Sequence, residues 1–232
     1  MKLTSLIFTA LLLLASDVAR AGTISGTVRA EGKTEVENSS SSGKYDSRKY
    51  KFAERVNYDE MRDFVVYIEG TVAGKPAPHP QTLVVDTRRI AQKGATFVPH
   101  ILPVVAGTTI EWPNNDEIFH NVFSMSEAKS FDLDLYKGNP PDKKVTFDKT
   151  GRVDVFCSIH ANMHCVVLVL ENPYFAMADA NGRYTIPDVP PGTYKLKAWH
   201  ERMPPQTQDI TVSNETEVKV DFVLGIKNLP KY

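Results

Sequence analysis

Apolar and polar residues alternate with a period of two along most of the chain, the pattern of half-buried strands rather than helices. Residues 24–28 form the first such run, and Phe64-Val65-Val66-Tyr67-Ile68 the second. Further runs lie at 82–86, 96–98, 108–112, 131–136, 145–147 and 153–156, and 165–170 is strongly β-branched. Beyond it, Tyr184-Thr185-Ile186 reads as a strand, and Tyr194, Leu196 and Ala198 alternate with Lys195 and Lys197. The last strand puts Val218, Val220, Phe222 and Leu224 on one face. Breakers separate the runs, among them Pro113-Asn114-Asn115-Asp116, Asn139-Pro140-Pro141-Asp142 and the hairpin signal Asp179-Ala180-Asn181-Gly182. This spacing predicts an all-β protein built from sandwiches and argues against any βαβ fold.

Three stretches fall outside the alternation. Residues 30–62 are polar and charged, with Ser39-Ser40-Ser41-Ser42-Gly43 in the middle, and predict a long mobile surface loop with a helical turn near 58–62. Gly74-Lys75-Pro76-Ala77-Pro78-His79-Pro80 reads as a linker. At the N-terminus, a basic Met1-Lys2, a mostly apolar run over 3–15 and Ala19-Arg20-Ala21 have the layout of a secretory signal peptide covering residues 1–21. The apolar run is too short for a bilayer core of about 30 Å, and no later stretch approaches that length. The expectation is a periplasmic protein with no membrane span.

Composition narrows the function. The chain has 232 residues, which allows one or two domains. Lys+Arg 27 against Asp+Glu 28 leaves no basic surplus, which argues against a nucleic-acid partner. Two cysteines are too few for a disulfide scaffold or an all-cysteine zinc site. No Gly-x-Ser-x-Gly elbow, phosphate loop or His-Glu-x-x-His helix is present, and no enzyme is expected.

The densest chemistry is Cys157-Ser158-Ile159-His160-Ala161-Asn162-Met163, a C-x2-H-x2-M run in a loop between two strands. His120, in Phe119-His120-Asn121-Val122, lies just past an earlier strand end. One thiolate, two imidazoles and a thioether suit a copper ion that cycles between Cu(I) and Cu(II), with Met163 as the weak axial ligand. A short loop that delivers three ligands to one point holds them rigidly. Other readings of the same residues are a Cys157–Cys165 disulfide, zinc on the same atoms, and Met163 as a core methionine. Cys165 reads better as a small buried thiol. Met125 is a weaker axial candidate, and His164 is an extra imidazole beside Met163. His100 reads as packed or at the surface, and His79 and His200 as solvated.

The segment from about residue 82 to 170 resembles a cupredoxin, the family of plastocyanin and amicyanin. The matching features are His120-Asn121, the Gly107-Thr108-Thr109-Ile110-Glu111-Trp112-Pro113-Asn114 run ahead of it, and the Cys157/His160/Met163 loop, whose short spacing is closer to amicyanin. The resemblance implies that Asn121 and Ser158 tie the ligand loops together by hydrogen bonds. It also implies electron exit at the His160 edge, with Phe119, Ile118 and Ala161 as apolar contacts for a transient redox protein partner. The whole layout resembles secreted proteins often labelled methylamine-utilisation proteins.

Residues 179–184 and 191–194 are similar to the carboxypeptidase regulatory-like domain, a small transthyretin-like sandwich. Such domains begin with two strands that are missing just upstream of Phe175, and residues 24–28 and 64–68 fit them. The expected organisation is a signal peptide over 1–21, N-terminal strands and loop over 22–70, a Greek-key cupredoxin inserted at 76–171, and the rest of the regulatory-like sandwich at 172–226. The expected function is a type-1 (blue) copper protein with one ion that carries single electrons. Alternatives are a copper module for storage, delivery or sensing, and a structural β protein with a relic site.

Overall fold

The computed structural model describes residues 21–32, 57–72 and 89–225. The expected signal peptide apart from Ala21, most of the 30–62 loop, the whole linker with His79, and the 82–86 strand lie outside the described residues. Among the described residues there is no α-helix, only a 3-10 turn at Tyr58–Glu60. The strands in chain order are β1 (Gly22–Glu31), β2 (Val65–Glu69), β3 (Ala91–Gln92), β4 (Phe97–Val98), β5 (Ile101–Val105) and β6 (Thr108–Glu111). There follow β7 (His120–Met125), β8 (Ser130–Tyr136), β9 (Lys144–Phe147), β10 (Gly151–Phe156), β11 (His164–Leu170) and β12 (Phe175–Met177). The last are β13 (Arg183–Val189), β14 (Gly192–His200), β15 (Met203–Val212), β16 (Glu217–Lys219) and β17 (Phe222–Gly225). The fold is all-β.

Two cores organise these strands. In the first, Ile24, Val28, Phe64, Val66 and Ile68 pack against Tyr184, Ile186, Leu196, Phe222 and Leu224. β1 lies antiparallel to β13 and parallel to β16 and β17, while β2 pairs with β12 and β14. The β16-to-β17 crossing passes directly over Gly26, where an added Cβ would come within 1.8 Å of the Val220 carbonyl oxygen, so only a hydrogen fits. The second core joins Ile90, Phe97, Trp112, Val122, Phe147, Val153, Val155 and Val167. It lies under the five-stranded sheet β5-β11-β10-β7-β8 and the β6-β9 ladder.

β11 explains its own uninterrupted apolar sequence. Cys165, Val167 and Val169 face the second core, while Val166, Leu168 and Leu170 face the other way. There they meet Val65, Ile101, Tyr67, Phe175, Met177 and Trp199, which form a third cluster between the two sandwiches. A strand buried on both faces has no polar side to alternate with.

The structure departs from the sequence expectations in four places. His120 opens β7 rather than trailing a strand. β5 carries Pro103, and β15 carries Pro204 and Pro205 just after its first residue; prolines suppress a strand reading, yet both are edge strands, where they are tolerated. The final apolar run is split into β16 and β17. His200 is buried against Phe64, with ring centroids 5.0 Å apart, rather than solvated, because it continues the inward-facing series of Leu196 and Ala198.

Candidate metal centre

β7 and β10 are neighbours in the five-stranded sheet, pairing at Phe123 and Phe156. This brings the start of β7 beside the loop that joins β10 to β11. The loop closes on itself: the Met163 N–H donates to the His160 carbonyl at 3.0 Å, and the Cys157 N–H donates to the Met163 carbonyl at 3.1 Å. His120 and Met163 are buried, Cys157 is 6% exposed, and His160 is half-buried.

Three donor atoms converge here. Cys157 Sγ lies 3.6 Å from His160 Nδ1, and His120 Nδ1 lies 3.0 Å from the same nitrogen. The ligand atoms of His120, Cys157 and His160 are all within 4.8 Å of one another. His120 Nε2 is 2.8 Å from Asp116 Oδ2. A carboxylate only accepts, so Nε2 carries the ring proton and Nδ1 keeps its lone pair toward His160 and Cys157. A soft sulfur and two imidazole nitrogens with lone pairs directed inward fit a copper ion.

The surroundings fix these donors. The Asn121 N–H approaches Cys157 Sγ at 3.5 Å, and Asn121 Oδ1 accepts from the Ser158 N–H at 3.3 Å. Asn121 Nδ2 donates to Asp132 Oδ1 at 2.6 Å. Asn121 thus joins the His120 strand to the Cys157 loop through Ser158. Asp116 accepts from the Gly94 N–H at 2.7 Å and the Ala95 N–H at 2.9 Å. The Ala95 bond is the largest influence holding its carboxyl pKa below the usual range; burial opposes this, and Gly94 and His120 add to it.

Other sequence candidates lie elsewhere. Met125 is 84% exposed at the far end of β7. His164 is turned to Asp154, with Nε2 3.0 Å from Oδ1. Cys157 and Cys165 are free thiols, and Cys165, fully buried, has its pKa pushed up by that burial and by the Asp154 charge. Asp116 and Asp132 were not singled out in the sequence. Asp116 lies four residues before His120 in a turn, where an acidic residue carries no distinguishing signal.

Residues 85–170 match the family of copper binding proteins of the plastocyanin/azurin type. The chain carries a cupredoxin domain. Residues 165–225 match the carboxypeptidase regulatory-like domain. That second match begins inside β11, which is hydrogen-bonded to β5 and β10 of the cupredoxin domain; the strands beside β13 and β14 are β1 and β2. Among solved structures, a copper-containing nitrite reductase from Thermus scotoductus SA-01 is similar at 22% identity and a TM-score of 0.34, over 44% of this chain and 25% of that one. The chain therefore spans about a quarter of that enzyme's length. A purple cupredoxin from Nitrosopumilus maritimus is similar at 24% identity and a TM-score of 0.30, over 35% of this chain and 97% of that one. A mutant of amicyanin in its reduced Cu(I) form is similar at 20% identity and a TM-score of 0.32, over 43% of this chain and 96% of that one. No curated protein matches the chain. No helix among the described residues is long and apolar enough to cross a membrane.

Proposed function

We propose that the protein is a type-1 copper electron carrier of the periplasm, with His120, Cys157 and His160 as the strong ligands and Met163 as the weak axial one. The observation that carries this reading is the convergence of one thiol and two imidazoles, within 4.8 Å of one another, inside a segment that matches a copper-binding family. A bound copper would supply one-electron exchange between Cu(I) and Cu(II).

The chain's own residues do the rest. The Asn121 N–H is directed at Cys157 Sγ and fixes the position of the sulfur. Asp116 and the Asn121–Ser158 bridge hold His120 and the Cys157 loop in place, so the donors move little between oxidation states. Burial of His120 and Cys157 keeps water from the sulfur. His160 reaches the surface next to Ile159, and Ile118 and Phe119 precede the other imidazole ligand, His120; these three apolar residues are 52%, 49% and 58% exposed. These apolar side chains suit brief docking of a redox protein at the His160 edge. Four side chains on one ion leave no position for a substrate, which supports a carrier rather than an enzyme. The pairing of β1 and β2 with β12–β17 supports the reading of the copper domain as an insertion at 76–171 within a sandwich made of 22–70 and 172–226.

The visible spectrum of the Cu(II)-loaded protein tests the proposal. The expected result is an intense blue band, abolished in Cys157→Ser and retained in Cys165→Ala. A colourless protein that keeps copper would point to storage or delivery, and no copper uptake would point to a structural role.

A further inference from the structure

A second group of donors lies where the two sandwiches meet, and one of its members, His164, directly follows Met163. His100, His164 and Glu201 each place one ligand atom within 4.8 Å of the others. His100 immediately precedes β5, His164 opens β11, and Glu201 sits in the turn between β14 and β15. Two of the three thus come from the cupredoxin domain and the third from the other sandwich.

Both ring nitrogens of His100 face acceptors. Nδ1 is 3.1 Å from the His164 carbonyl oxygen, and Nε2 is 2.9 Å from Glu201 Oε1. A carbonyl and a carboxylate only accept, so a neutral imidazole can satisfy one of them and not both. With the Nδ1 proton on the carbonyl, contact between Nε2 and the Glu201 carboxylate requires either a second ring proton or a metal cation between them. His164 is held in the complementary way. Its Nε2 lies 3.0 Å from Asp154 Oδ1, and donating there leaves Nδ1 with a lone pair. Each histidine therefore has, on one nitrogen, the kind of acceptor that orients metal-bound imidazoles.

The supports are themselves fixed. Arg152 Nη2 and Nε donate to Asp154 at 2.6 and 2.8 Å, and Arg152 Nη1 donates to the Glu201 carbonyl at 3.0 Å. One guanidinium thus holds both the carboxylate behind His164 and the backbone that carries Glu201. Phe156 stacks on the His164 ring, with centroids 4.8 Å apart and planes at 30°.

We propose that His100, His164 and Glu201 bind a divalent transition ion of the zinc class, and that this ion clamps the two sandwiches at their junction. Two imidazoles and one carboxylate form a known three-ligand set for zinc. Bonds of about 2.0–2.2 Å in tetrahedral geometry place ligand atoms about 3.3 Å apart; His100 Nε2 and Glu201 Oε1 are now 2.9 Å apart, and all three ligand atoms lie within 4.8 Å of one another. All three side chains are half-buried, so a fourth position opens to water.

Zinc binding by the full chain tests this in two backgrounds, wild type and Cys157→Ser, so that the outcome does not depend on the first centre. After dialysis against Zn2+, His100→Ala is expected to lower the zinc count by one per chain in both backgrounds. Glu201→Gln, a near-isosteric change on a turn, is expected to weaken zinc binding at least tenfold. Zinc is also expected to raise the thermal unfolding midpoint of Cys157→Ser, and to lose that effect when His100→Ala is added. Circular dichroism confirms that each variant is folded. Zinc counts, affinities and midpoint shifts unchanged by both substitutions would overturn the proposal and leave His100 and Glu201 as an ordinary ion pair.

Discussion

Asn121 connects three parts of the copper-type centre. Its backbone N–H faces the Cys157 sulfur, its side-chain oxygen receives the Ser158 N–H, and its amide nitrogen donates to Asp132. Asn121→Ala keeps the backbone contact to sulfur and removes the other two. Both partners are exposed, so water replaces the lost bonds; the expected cost is about 0.5–1.5 kcal/mol, read from the shift in urea midpoint, together with a shift of the visible band of the copper-loaded protein. Cys157 and His160 were legible in the sequence because they share one short loop, where spacing alone brings them together. Asp116 and Asp132 were not, because a carboxylate in a turn is common and its partner is chosen by tertiary structure. His100 and Glu201 were illegible for the same reason: they are separated by 101 positions, and only the packing of the two sandwiches joins them.

Among the elements, β1 is the most constrained. Residues 23–25 pair with 217–219 and residues 28–31 with 222–225, so the partner chain must cross over at Gly26. Asp221 secures that crossing by accepting from the Thr27 N–H and the Thr27 hydroxyl, both at 2.7 Å. The Thr27 hydroxyl and then its N–H hold the Asp221 carboxyl below its usual pKa. Because the folded value is the lower one, this contribution is full above the unfolded pKa of about 3.9 and fades as pH falls through the folded value. Asp221→Ala is therefore expected to lower the urea midpoint at pH 7 and to narrow its gap from wild type at pH 3. An equal gap at both pH values would show that the carboxylate charge is not involved. Period-two alternation revealed most strands, including β10, with Val153 and Val155 inward, and β14, with Leu196 and Ala198 inward. It failed at β5 and β15, where prolines occupy strand positions, and could not place the partners of β1.

At the scale of the whole molecule, the cluster around Val65, Ile101, Val166, Leu168 and Trp199 joins the two cores. Ile101 is fully buried there, on a strand that also borders the copper-type core. Ile101→Ala is expected to cost about 2–5 kcal/mol, and to convert one cooperative urea transition, followed by tryptophan fluorescence, into two. Trp112 lies in the cupredoxin core and Trp199 in the joining cluster, so the two reporters sit on different sides of the change.

The pairing of Ile24 with Ile186 also sets an order of assembly. As the chain is made from its N-terminus, β1 and β2 emerge first but must wait for β12 through β17. The strands from β3 to β11 find all their sheet partners among themselves and need no later residue. Closing the long separation between β1 and β13 is entropically costly in a disordered chain, and far less so once the intervening segment has become a compact body. The cupredoxin domain is thus the part of the molecule able to fold while synthesis is still under way, and its formation draws together the two halves of the sandwich that surrounds it.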